Sequence, residues 1–165
     1  MFSPDIHDLA RQLIETCKSH NQRIVTAESC TGGLVAAALT EIAGASDAFE
    51  RGFTVYSNEA KNEQLGVDME LINQHGAVSV EVAEALAQGA IEHSNADIAV
   101  SVTGIAGPGG GTPAKPVGLV YFGVANRDGA SFHYKCTFKG DRDDVRMQAV
   151  REALKLLMSV AGKGD

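Results

Sequence analysis

Apolar residues recur at helical spacing near the start of the chain. Ile6, Leu9, Ala10, Leu13, Ile14 and Cys17 fall on one face behind Ser3-Pro4-Asp5, a helix-start signal, which predicts a first helix over about 4–20. Arg23 to Ala27 is a short β-prone run. It gives way through Glu28-Ser29-Cys30-Thr31-Gly32-Gly33 to a small-residue helix over about 32–43, closed by Gly44. Phe49 to Tyr56 reads as a strand. Ser57-Asn58 then offers a cap for a short helix that carries Lys61 and stops at Gly66, and a second short helix falls over about 68–74. Ser79 precedes Val82, Ala83, Leu86, Ala87, Ala90 and Ile91, an amphipathic helix to about 93, and Ile98 to Val102 follows as a buried strand.

The stretch from Gly104 to Gly118 holds six glycines and three prolines in fifteen residues, so it is read as a loop, and ordered loops of this length are usually functional. Val117–Ala125 and Ser131–Phe138 flank Asn126-Arg127-Asp128-Gly129, a hairpin signal. Asp141 caps a last helix along Val145, Ala149, Val150, Ala153, Leu154 and Leu157. Helices alternate with strands until the hairpin. That order implies an α/β fold, a three-layer α/β/α sandwich whose mixed sheet is parallel in part and antiparallel at the hairpin. No repeat or linker divides the chain, so residues 1–165 are taken as a single domain.

Composition narrows the functional classes. With 165 residues and 44% hydrophobic content, the chain is long enough to bury roughly 70% of its unfolded surface without metal or disulfide staples. Cys17, Cys30 and Cys136 are odd in number and far apart, which argues against a disulfide framework and a structural zinc site. No apolar run is long enough for a membrane span and no secretory signal is visible, so a cytoplasmic protein without a membrane partner is expected. A net charge of −7, with no Lys/Arg cluster, disfavours nucleic-acid binding. A small anionic ligand needs only one or two well-placed basic groups and stays open.

Four stretches are candidates for chemistry. A Ser or Cys at the strand-to-helix turn Thr26–Gly33 would stand beside unsatisfied helical N–H groups, able to stabilise a nucleophile and the oxyanion it generates. From these residues alone, Ser29 and Thr31 serve equally well as helix caps and Cys30 as a small buried residue. None of His7, His20, His75, His93 and His133 is tied to Ser29 by a local pattern, and no metal-binding His pair exists, so no metal is expected. Tyr56-Ser57-Asn58-Glu59-Ala60-Lys61 offers a different base, with Tyr56 ending a strand and Lys61 one helical turn later. A lysine base must lower a pKa of about 10.4 by roughly 3 units, which requires a dry pocket; an exposed surface lysine is the alternative. Thr103-Gly104-Ile105-Ala106-Gly107-Pro108 lies at a strand end, where α/β proteins place ligands, and lacks both the P-loop and the Rossmann fingerprints. Arg142 opens the last helix against the preference of the helix dipole, which suits a carboxylate- or phosphate-binding group or a surface ion pair.

Together with His75-Gly76-Ala77-Val78-Ser79 and Gly140-Asp141-Arg142, these motifs resemble the CinA C-terminal domain family over nearly the whole chain. Members of that family include stand-alone nicotinamide-nucleotide amidohydrolases, which convert nicotinamide mononucleotide to nicotinate mononucleotide and ammonia. The resemblance implies a single domain of that kind and a small-molecule nucleotide substrate. It makes Ser29 the nucleophile, Lys61 its base and Tyr56 an orienting or relaying group. An oxyanion is expected at the turn N–H groups of Cys30, Thr31, Gly32 and Gly33, with Thr103 and Gly104 lining the cleft and Arg142 holding the substrate phosphate. It implies no cofactor, no metal, and a homo-oligomer, taken as a dimer. Two alternatives stay open: a non-catalytic nucleotide- or partner-binding module linked to competence and recombination, and hydrolysis with Cys30 as nucleophile.

Overall fold

The computed structural model describes residues 2–163. Its sheet has the strand order β2-β1-β3-β4-β5, with β1 at Ile24–Glu28, β2 at Phe49–Thr54, β3 at Ile98–Gly104, β4 at Leu119–Asn126 and β5 at Ser131–Thr137. Strands β2, β1 and β3 run parallel, while β4 and β5 add antiparallel, the last pair joined at the expected Asn126–Gly129 turn. Six α-helices cover the faces: α1 (Pro4–Ser19), α2 (Leu34–Thr40), α3 (Asn58–Leu65), α4 (Met69–His75), α5 (Val80–Glu92) and α6 (Arg142–Val160).

Period-2 alternation divides the sheet residues between two cores. Ile24, Val100, Val102 and Phe122 pack with α1, α2 and α6. Val25, Ala27, Ala99 and Ala125 pack with α3, α4 and α5. The fold is thus the three-layer α/β/α sandwich with a mixed sheet. β1 is buried along its whole length, as parallel strands covered on both faces must be. Among the described residues no helix is long and apolar enough to cross a membrane.

Two of the boundaries that differ from the sequence expectation bear on the site. The helix expected over 32–43 is limited to Leu34–Thr40, because Gly32 (φ 61°) and Gly33 (φ 96°) sit in the left-handed region and cannot extend a right-handed helix. Strand β2 ends at Thr54, so Tyr56 lies in the following bend rather than at the strand end.

Helix α5 approaches β4 so closely that a Cβ on Gly123 would lie 2.2 Å from the Ala83 carbonyl oxygen. The Ser101 hydroxyl fills the remaining space, donating to that same oxygen and accepting from the Gly123 amide at 3.0 Å. Gly123→Ala is expected to destabilise the domain by about 3 kcal/mol through overpacking. Gly109→Ala, where a Cβ meets nothing within 4 Å, should shift stability by no more than about 0.5 kcal/mol. Denaturant midpoints of the two variants check this contrast.

Candidate active site

Chain direction changes at the carboxyl ends of β1 and β3: β1 leads outward to β2, and β3 leads the other way to β4. Open α/β sheets bind ligands at such a reversal. A cleft of about 290 Å³ lies there, and its walls include Ser29, Cys30, Tyr56, Lys61, Thr103, Gly104 and Arg142. Thr31, Gly32 and Gly33 do not line it.

Ser29 follows directly on β1, and its backbone is fixed at both ends. Its amide donates to the Val102 carbonyl at 2.9 Å, and its carbonyl accepts from the Gly32 amide at 3.0 Å. The amides beyond it are largely engaged. Leu34 N–H donates to the Thr31 carbonyl at 3.2 Å, and those of Gly33, Val35 and Ala36 donate to the buried carboxylate of Glu28 at 3.1, 2.9 and 2.9 Å. Of the amides expected to receive an oxyanion, those of Gly32 and Gly33 are therefore already used, and of the other two residues Cys30 lines the cleft and Thr31 does not.

Lys61 is only 1% exposed, so the exposed-lysine alternative is removed. Ser57 caps α3 by accepting from the Ala60 amide at 3.0 Å, and Lys61 then turns back toward the chain that leaves β2. Its Nζ donates to the carbonyls of Val55 at 3.0 Å, Tyr56 at 3.1 Å and Ser57 at 3.3 Å. Burial lowers its pKa below the ordinary lysine value, with Cys30 and Glu59 opposing part of the shift. These bonds go to backbone and not to the Ser29 hydroxyl.

Tyr56 is 62% exposed and meets Lys61 through its carbonyl, not its phenol. The phenol oxygen instead accepts from the Arg142 guanidinium at 3.3 Å. Arg142 also donates to the Gly107 carbonyl at 2.8 Å, tying the start of α6 to the glycine-rich loop. Thr103 is buried and gives its hydroxyl to the Ala77 carbonyl at 2.7 Å, so it anchors the 75–78 segment at the cleft edge.

The family model of the CinA C-terminal domain matches residues 6–161. The chain belongs to the CinA C-terminal domain family. A protein of Shigella flexneri named nicotinamide-nucleotide amidohydrolase PncC is 48% identical to this CinA domain over 157 residues, 95% of each chain. A putative competence-damage inducible protein of Caldicellulosiruptor bescii is 48% identical over 158 residues, which span 92% of this chain but 38% of that longer protein. The crystal structure of the competence/damage inducible protein CihA from Agrobacterium tumefaciens superposes with a TM-score of 0.95 at 46% identity, covering 97% of this chain and 98% of that one.

Sequence reasoning missed three residues that shape the site of this CinA domain. Arg146 in α6 donates from Nε to the Cys30 carbonyl at 3.2 Å and from its terminal nitrogen to the Thr31 carbonyl at 3.1 Å. Lys115, from the glycine-rich loop, donates to the carbonyls of His75 and Val78, both at 2.7 Å. Glu28 was noted only as part of the turn motif. Residue type was the available signal for Glu28, a carboxylate closing an otherwise apolar parallel strand. Nothing local marks the two cations, whose partners lie far away in the chain.

Cys30 lines the cleft but is buried, and burial pushes its thiol up to about 12. A thiol so protonated is a poor nucleophile near neutral pH. Iodoacetamide at pH 8 is expected to leave Cys30 and the fully buried Cys17 unmodified in the folded protein and to label both after unfolding, as peptide mass spectrometry will read.

Proposed function

We propose that this CinA domain is a nicotinamide-nucleotide amidohydrolase that hydrolyses nicotinamide mononucleotide to nicotinate mononucleotide and ammonia. The observation that carries the chemistry is a buried lysine, with its pKa lowered, in the same cleft as a serine at a strand end. The near-full-length relatives named nicotinamide-nucleotide amidohydrolase support the substrate. So does the charge of the cleft. Lys61 and Arg142 line it, Lys115 and Arg146 bond the carbonyls of its lining residues Val78 and Cys30, and none of the four forms an ion pair with a carboxylate among the described residues. The charge of Lys115, Arg142 and Arg146 suits a phosphate-bearing substrate although the whole chain carries −7.

In this reading the Ser29 hydroxyl attacks the carboxamide carbon while neutral Lys61 takes its proton. The amide of Cys30 receives the oxyanion. Collapse breaks the C–N bond, and the proton on Lys61 leaves with ammonia. Water then attacks the acyl-serine, giving nicotinate mononucleotide and restoring Ser29. Arg142 keeps N–H groups beyond the two it uses and holds the phosphate. Tyr56 orients Arg142. A homodimer belongs to this reading, supported by the edge strand β5, whose Phe132 and Tyr134 rings stay 38% and 45% exposed for a second copy to cover.

Ammonia release from nicotinamide mononucleotide is the test. Lys61→Ala is expected to lower kcat by about 10²–10⁴-fold, and Ser29→Ala to abolish turnover. Arg142→Ala should raise KM more than it lowers kcat. Activity should fall as pH drops through the Lys61 pKa, which lies below its ordinary 10.5, because only the neutral amine takes the serine proton. Stability has the same sign. Between the lowered folded pKa and 10.5 the unfolded chain binds the extra proton, so stability rises with pH across that window. Wild-type protein that binds the nucleotide without releasing ammonia would turn this reading into that of a binding module.

A further inference from the structure

Glu28 is a buried carboxylate that the steps above do not use. It is 1% exposed at the end of β1, and it forms no ion pair among the described residues. Helix α2 starts poorly by itself: its N-cap is Gly33, which has no side chain, and its first turn contains no acidic residue. Glu28 supplies both missing features from five residues upstream. One oxygen accepts from Gly33 and Val35 and the other from Ala36, so the orphan amides of the first turn are met by a full negative charge at the positive end of the helix. On the other side, Arg146 holds the carbonyls of Cys30 and Thr31. The short turn between β1 and α2 is thus gripped through its amides by an anion and through its carbonyls by a cation.

We propose that Glu28 is a positioning residue for Ser29, its carboxylate occupying the first-turn amides of α2 while Arg146 fixes the carbonyls of the same turn. The effect is twofold. With its own amide and carbonyl also bonded, Ser29 retains only side-chain rotation as a local freedom. The α2 amides are withdrawn from the cleft, so the oxyanion has to form against the Cys30 amide, next to the nucleophile. A glutamine here offers one acceptor oxygen and turns an NH2 group toward N–H donors, so it cannot keep all three bonds. An aspartate keeps the charge but reaches less far.

The proposal rests on Ser29 acting as the nucleophile, and its test has two arms. In ammonia release from nicotinamide mononucleotide, Glu28→Gln should lower kcat by about 100-fold, the scale of a nucleophile displaced by about 1 Å. KM should stay within about threefold, since substrate-binding groups are untouched. Arg146→Lys should lower kcat as well, and the double variant should lose less than the product of the two, because both act on one turn. In amide hydrogen exchange, Glu28→Gln should speed Gly33, Val35 and Ala36 at least tenfold and leave the amides of β3 unchanged, and Glu28→Asp should restore part of the protection.

A folded Glu28→Gln variant that keeps kcat within threefold of wild type, or that leaves exchange at those three amides unchanged, overturns the positioning role. Should Glu28→Gln not fold, Glu28→Asp and Arg146→Lys carry the same comparison, and wild-type kcat in both overturns it equally. Wild-type protein that releases no ammonia would instead defeat the amidase reading, while the exchange arm still decides whether Glu28 holds the turn.

Discussion

An ammonium group that is 1% exposed costs several kcal/mol in lost hydration unless each of its N–H bonds finds an acceptor. Lys61 finds three, the consecutive carbonyls of residues 55–57, where the chain leaves β2 and enters α3. The acceptors lie within six residues of the donor, so the arrangement is local, and it fixes the bend that carries Tyr56 and Asn58 to the cleft wall. It also sets two influences against each other. Burial favours the neutral amine, whereas three carbonyls favour the ammonium. A neutral amine keeps two N–H bonds and a lone pair, so losing the proton leaves one carbonyl without its donor. In the proposed mechanism, proton transfer from Ser29 is therefore coupled to a turn of the Lys61 side chain away from one of its carbonyls.

The remaining cleft walls are mostly backbone, and backbone needs holding. The glycine-rich loop contributes Gly104, Gly107, Gly109 and Gly110 to the lining, with little side-chain packing to order it. Long cations do that work. Lys115 fastens the loop to the segment at 75–78, Arg142 fastens Gly107 to α6, and Arg146 fastens the Ser29 turn to α6. Because each satisfies a carbonyl rather than a carboxylate, its charge is not cancelled where it is used. The same bonds that order the walls hold three cations beside the cleft.

These contacts explain what could be read from the chain. Helices α1, α5 and α6 and the hairpin follow from periodicity, caps and turn residues, all of which are local signals. Asp141, for example, caps α6 through the amides of Asp143 and Asp144, within three residues. The bounds of α2 were less legible, because Gly32 and Gly33 read equally as helix starters and as left-handed turn residues. Only the packed turn decides. Arg146 and Lys115 bond partners 115 and 37 or more residues away, so no window along the sequence contains both ends. Convergence of Tyr56 and Lys61 on the sheet edge that carries Ser29 was legible from their place just after a strand, whereas the roles of Ser29 and Lys61 came only through the family resemblance. The misplaced oxyanion amides had a different cause. Counting free N–H groups at a helix start assumes an absent cap, and the cap here comes from the strand before the turn.

The choice between adjacent candidate nucleophiles turns on the same grip. Ser29 is half-buried and faces a cleft, whereas Cys30 is 6% exposed and packs with the apolar core under α2. A thiolate at Cys30 would need a nearby positive group, and Arg146 is near. Its guanidinium, however, is spent on the carbonyls of Cys30 and Thr31, so its charge only partly offsets the burial that pushes the thiol up to about 12. A serine at the same height would not suffer comparably, because its hydroxyl attacks while handing its proton on and never stands as a free anion. Burial therefore disarms the residue with the more reactive atom, and in the proposed mechanism the task falls to its neighbour Ser29, whose proton passes to Lys61 only if that lysine gives up one of its carbonyls.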